Sequence, residues 1–76
     1  MAIADVRHGV NNMLELIDEN GREIGRFGGR IEDVIRFTNT AIAVRSINGM
    51  AEIYNDSGHQ IDYISEDRVA SELPKY

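Results

Sequence analysis

Three arginines recur at every fourth position through Gly21-Arg22-Glu23-Ile24-Gly25-Arg26-Phe27-Gly28-Gly29-Arg30, the stretch of this chain richest in groups that can meet a ligand. A guanidinium binds phosphate through two parallel hydrogen bonds, and glycine lets backbone come close to it. Together with Arg45, the residues Arg22, Arg26 and Arg30 define one expected activity, binding of a phosphate, a nucleotide or a single-stranded nucleic acid. The stretch matches neither a Walker A loop nor a dinucleotide fingerprint, because no Gly-Lys-Ser/Thr and no ribose-binding acid accompany it. A structural use of the same residues competes: Gly25 as a bulge or close-packing point within a strand, and Gly28-Gly29 as the bend that follows it.

Other chemistry is thinly represented. His8 and His59 are the only imidazoles, the chain has no cysteine, and neither His-x-x-His nor Glu-x-x-His occurs. No metal and no cofactor are therefore expected. Glu32-Asp33 and Glu66-Asp67 are adjacent carboxylates, which point in different directions on a strand or helix and make poor acid and base pairs. An enzymatic function is not expected.

Charge moves the expectation from nucleic acid towards protein. The chain carries 8 basic and 13 acidic side chains, a net charge of -5, distributed as -3 over residues 1–21, +2 over 22–45 and -4 over 46–76. Such a domain repels a polyanion unless its arginines are gathered on one face. The leading expectation is a non-enzymatic, acidic protein-binding module, an accessory or inhibitory protein. In size and charge it is analogous to the small inhibitors with which phages and mobile elements fill a basic groove. Its expected partner-binding residues are Ile47, Met50, Tyr54 and Ile64, with the exposed acidic turns.

The elements that must position these residues are mostly strands. Ten Ile and five Val stand against three Leu and six Ala, a balance that favours extended structure. Asn48-Gly49 separates two alternating apolar runs and predicts a type I′ hairpin turn. A two-residue loop there sets Ile47 opposite Met50, Arg45 opposite Glu52, Val44 opposite Ile53 and Ala43 opposite Tyr54. The segments Glu15–Ile24 and Glu52–Ile61 echo one another at an offset of 37 residues, each reading as a hairpin with a three-residue loop closed by glycine. In that reading Asp18 faces Arg22, Leu16 faces Ile24, Asn55 faces His59 and Ile53 faces Ile61. Duplication and shared turn chemistry both remain open as the origin of the echo.

The expected fold is mainly β (α+β): an antiparallel meander of about five strands built from hairpins, with a short C-terminal helix. One domain spans 1–76, with an arm or short helix over 1–12, the sheet over 13–64 and the helix over 65–73, where Ser65 caps, Val69, Ala70 and Leu73 form the apolar stripe, and Pro74 stops it. Residues 31–37 read as helical turn or strand, the strand being preferred. One sheet face reads Ile42, Val44, Ala51, Ile53, Ile61 and Tyr63. The other, with Ala43, Ile47, Met50, Tyr54 and Ile64, is too apolar to stay wet, so a second sheet, a terminal helix or a second subunit should cover it. A chain this short buries about 60% of its unfolded surface, which adds to the expectation of a homo-oligomer. The longest uncharged run, Phe37–Val44, falls far below a membrane span, and Asp5 and Arg7 interrupt any secretory signal, so no membrane association and a cytoplasmic location are expected.

Overall fold

Short β-branched runs punctuated by Asn, Asp and Gly fold as seven strands in two antiparallel sheets, in a computed structural model that describes residues 2–76. The first sheet has the order β1 (Asp5–His8), β2 (Met13–Ile17), β3 (Glu23–Gly28). In the second, β4 (Val34–Phe37), β5 (Ala41–Arg45), β6 (Met50–Asn55) and β7 (Gln60–Ser65) follow in sequence order. A helical tail closes the chain: a 3-10 turn at Glu66–Arg68, α1 at Val69–Glu72, and a second 3-10 turn at Leu73–Lys75. The mainly β architecture and the C-terminal helix are those read from the sequence. The strands among the described residues, however, number seven and divide between two sheets.

In place of the expected arm or short helix, the chain forms strand β1 over Asp5–His8 and a single 3-10 turn over Val10–Asn12; Met1 lies outside the described residues. Val6 pairs with Leu16, and Asn11 and Asn12 take positive φ of 58° each, so the chain turns where a helix would have continued. Residues 31–37 divide into a 3-10 turn, Ile31–Asp33, and strand β4. Ser65 precedes the helical tail as expected, but its hydroxyl bonds the Asp67 carboxylate at 2.6 Å instead of a backbone N–H.

The turns form where their chemistry places them, and bulges beside them shift the registers. Asn48 and Gly49 have φ of 56° and 74°, and Met50 N–H donates to Ile47 O at 3.1 Å, which makes the expected type I′ turn. Ser46 N–H also donates to Met50 O, at 2.8 Å, so Ser46 and Ile47 together oppose one residue. The register slips by one: Val44 faces Glu52, Ala43 faces Ile53 and Arg45 faces Ala51. Arg45 consequently pairs with Glu66, at 2.9 Å, and not with Glu52.

The three-residue loops behave alike. Asp18 N–H donates to Arg22 O at 2.8 Å and Asn55 N–H to His59 O at 2.9 Å, as the sequence implies. Beyond each loop one residue bulges, Ile24 in the first hairpin and Ile61 in the second, so Leu16 faces Gly25 and Ile53 faces Asp62 instead of the two isoleucines.

These details reveal that the echo extends over two whole three-stranded units. Adding 37 to any residue of β1–β3 gives its counterpart in β5–β7: Val6↔Leu16 becomes Ala43↔Ile53, and Leu16↔Gly25 becomes Ile53↔Asp62. The Val10-Asn11-Asn12-Met13 turn corresponds to Ile47-Asn48-Gly49-Met50, and the flanking bonds also match, Gly9 N–H to Met13 O at 2.7 Å against Ser46 N–H to Met50 O at 2.8 Å.

The two units use their faces differently. Val6, Leu14, Leu16 and Phe27 of the first pack against Ile42, Val44 and Tyr54 of the second, and Ile3, 2% exposed, is buried in the same core. The opposite face of the second sheet, Ala41, Ala43, Ala51, Ile53 and Ile64, receives Val69 and Leu73 of the tail. The second sheet is thus the middle of three layers, which is why Ala41–Val44 are all buried. Where the first unit has Asp5 and Arg7 facing water, the second has Ile42 and Val44 facing the other sheet. The one-residue slip also splits the two faces read from the sequence: Ala51 and Ile53 turn to the helix, away from Ile42 and Val44, and Ile61 and Tyr63 are 44% and 45% exposed.

Asp18 shows how a loop is held. It is 3% exposed, and its Oδ1 accepts backbone N–H bonds from Asn20 and Arg22 at 2.9 and 2.8 Å. Asn55 makes the equivalent two bonds at 3.0 Å in the second unit. Asp18→Ala is expected to destabilise the fold by about 1–3 kcal/mol through the two unsatisfied donors, and Asp18→Asn by less than about 1 kcal/mol, since the amide oxygen keeps both bonds. Urea denaturation of the two variants measures the difference.

Candidate protein-docking surface

The turn at the tip of each unit carries an aliphatic side chain into solvent. Val10 is 70% exposed and Ile47, its counterpart 37 residues on, is 71% exposed. Neither turn is loose. Asn12 O accepts a bond from Gly29 N–H at 3.0 Å, and Gly49 O accepts one from Glu66 N–H at 2.8 Å, so the segment leaving the third strand ties down each turn. Met13 and Met50, which close the turns, are half-buried behind them. An apolar side chain on an anchored turn loses little further freedom when it enters a pocket, which favours docking.

Around Ile47 the turn is flanked by polar groups that are already partnered. Arg45 meets Glu66, and the Ser46 hydroxyl donates to Glu52 at 3.3 Å. Tyr54 donates its hydroxyl to the other Glu52 oxygen at 2.8 Å while its ring stacks on Phe27, with centroids 3.8 Å apart and planes 9° from parallel. Tyr54 therefore joins the two sheets as well as standing near the tip.

Of the four residues expected to bind a partner, the structure exposes one fully. Ile47 is at the tip, Met50 and Tyr54 are half-buried, and Ile64 is 8% exposed beneath the helical tail, on the opposite side of the sheet from Tyr54. Val10 is not among those four. The signal that could have found it is the match between Val10-Asn-Asn-Met13 and Ile47-Asn-Gly-Met50 at the offset already visible further along.

The four arginines do not converge on one ligand. Arg22 follows the first loop, Arg26 lies on β3, Arg30 follows that strand, and Arg45 ends β5 in the other sheet. Arg26 makes a two-bond contact with Glu23, its Nη2 donating at 2.8 Å, and the contact lowers the pKa of the carboxyl and raises that of the guanidinium. Arg30 lies 3.9 Å from Glu32. On the outer face of the first sheet Arg7, Glu15 and Arg26 stand in a row across the three strands, so the charge there alternates.

His8 and His59 are exposed at separate places, on β1 and beyond the second loop. Among the described residues no three His, Asp or Glu side chains are grouped to hold a metal. An open crevice of about 350 Å³ between β3 and the second loop is lined by Glu23, Ile24, Asp56 and Ser57. Among the described residues no helix is long and apolar enough to cross a membrane.

Burial pushes the Tyr54 phenol up to about 12 from its ordinary 10.0, and the hydrogen bond to Glu52 adds to the rise. The folded state holds this proton more tightly than the unfolded chain does. The contribution to stability is therefore complete below pH 10.0 and is lost as pH rises towards about 12. Denaturation midpoints across that range are expected to fall in the wild type and to fall less steeply in Tyr54→Phe, which has no phenol to ionise.

Comparison of the chain with protein-family models, with curated proteins and with solved structures returns no match.

Proposed function

We propose that this protein is a non-enzymatic, acidic binding module that docks on another protein through its turn tips, Ile47 with Met50 in the second unit and Val10 with Met13 in the first. The observation that carries the reading is the equal exposure of Val10 and Ile47, 70% and 71%, on turns whose carbonyls are both tied down. Two large aliphatic groups held rigidly in water at equivalent positions contribute nothing to the core. They are suited to pockets on a partner.

The net charge of -5 adds a preference for a basic partner surface, through faster encounter more than through added affinity. The loops carrying Asp18 and Glu19 in the first unit and Asp56 in the second supply part of that charge away from the tips. An accessory or inhibitory role follows if the surface so covered is one the partner uses itself.

Ile47→Asp and Val10→Asp test the reading. Both positions are exposed, so stability is expected to change by no more than about 0.5 kcal/mol. A partner that co-purifies stoichiometrically from the native cell with the wild type should lose affinity by tenfold or more, about 1.4 kcal/mol, in Ile47→Asp. Undiminished recovery of the same partner with both variants would refute the docking surface.

A further inference from the structure

We infer that the outer edge of β1 is a pairing site for a second copy of this chain, joining two first sheets into one six-stranded antiparallel sheet across a twofold axis. The internal repeat supplies the template. Ala43, the counterpart of Val6, has its outward edge occupied by β4 through the pairings Arg36↔Ala43 and Phe37↔Ile42. Among the described residues no strand occupies the same edge of β1, because the order in that sheet begins with β1. The 3-10 turn Ile31–Asp33 runs close to this strand, yet Asp5, Arg7 and His8 all remain exposed.

The alternation of the ladder identifies which groups face outward. Gly9 N–H donates inward to Met13 O, and so Arg7 and Asp5 are the residues that bond to β2, leaving Val6 and His8 with their backbone groups on the free edge. Val6 N–H is closed off in the isolated chain by the Asp5 carboxylate, whose Oδ1 accepts it at 2.8 Å. A side chain that plugs its own strand edge discourages indiscriminate pairing.

Charge then selects one register for a second copy. With Val6 opposite the partner's Val6, Asp5 faces the partner's Arg7 and Arg7 faces the partner's Asp5. These fall at the non-hydrogen-bonded positions, where facing side chains approach most closely. Asp5 exchanges its backbone bond for a guanidinium, and the released Val6 N–H bonds the partner's Val6 carbonyl. Sliding by two residues in one direction sets Arg7 against the partner's Arg7, and in the other sets Asp5 against the partner's Asp5, so both neighbouring registers are repulsive. Val6, half-buried on the inner side, meets its own copy there. This edge is separate from the turn tips and does not depend on their role.

Sedimentation of the full chain from about 1 μM to about 1 mM is expected to show a reversible dimer at the upper end of that range. Asp5→Arg alone and Arg7→Asp alone should each weaken it about tenfold, because symmetry places the new like-charge contact in the interface twice. The double variant Asp5→Arg/Arg7→Asp restores the opposite-charge contacts and should return the dissociation constant to within about threefold of wild type. Val6→Pro removes an outward N–H that β2 does not use and should sediment as a monomer whose circular dichroism shows it folded. A wild-type monomer at every concentration would overturn the inference, including one that binds an extended peptide of another protein at this edge. So would a dimer indifferent to the single variants, or a double variant that folds without restoring the dimer.

Discussion

Gly58→Ala is expected to destabilise the protein by about 3–5 kcal/mol, while Gly21→Ala, at the equivalent position of the first unit, costs only about 1–2 kcal/mol. Both glycines close a three-residue loop, with φ of 86° and 80°, a region in which a Cβ is crowded by its own backbone. They differ in their surroundings. A Cβ on Gly58 would lie 2.5 Å from Arg26 O and 2.8 Å from Arg26 N, whereas one on Gly21 meets nothing within 4 Å. The atoms in the way belong to the backbone of a paired strand and cannot swing aside as a side chain would.

The contact is reciprocal. A Cβ on Gly25 would stand 2.5 Å from the Ser57 carbonyl carbon and 2.7 Å from Asp56 O. Two backbones touch where β3 passes the second loop, and glycine is needed on each side. This assigns Gly25 the close-packing role that its sequence setting allowed, with no ligand required to explain it. Urea denaturation of the two alanine variants measures the difference, and equal losses would show that the loop does not rest on β3.

Leu73→Ala is expected to cost about 2–5 kcal/mol, as large-to-small changes at fully buried positions do. Leu73 is completely buried, and with Val69 it is the apolar stripe that holds the helical tail to the second sheet. The sheet is shaped to receive it. Val6, Leu14 and Phe27 of the first unit have the smaller counterparts Ala43, Ala51 and Ile64 on the face beneath the tail, so the helix can settle close to the strands. Loss of Leu73 opens a cavity over alanines that have no long side chains with which to fill it. A change of less than about 1 kcal/mol would mean that the tail does not form the third layer.

The sequence made the local features of this fold legible and hid the tertiary ones. Asn48-Gly49, Asp18–Arg22 and Asn55–His59 each carry turn chemistry within a few residues, and each forms the turn it implies. The bulges at Ser46-Ile47, Ile24 and Ile61 have no comparable signature, because an isoleucine bulges only when the strands around it have been packed. The bulge at Ser46-Ile47 alone moves Arg45 from Glu52 to Glu66 and sends Ile53 to the opposite layer from Val44.

The repeat is visible at its loops and masked at its strands. Asp5 and Arg7 bear no resemblance to Ile42 and Val44, since one pair meets water and the other a second sheet. Val10 shares that fate: its spacing from Ile3, Val6 and Met13 imitates a helix, and only the turn at Asn11-Asn12 brings it out to solvent. The apolar excess of the middle sheet does signal a need for cover. Both the other sheet and the tail supply that cover within one chain, which removes the greasy face as a reason for oligomerisation and leaves the β1 edge as a separate one.

The three-layer arrangement is the claim on which the exposed tips depend, and nuclear Overhauser spectroscopy on a dilute sample tests it most directly. Contacts from the Phe27 ring to the Tyr54 ring and from the Leu73 methyls to Ile53 should appear together in the same folded molecule, placing a sheet on one side of β6 and the helix on the other. If either set is missing while β6 remains paired with β5 and β7, one face of the middle sheet is open and the account is wrong.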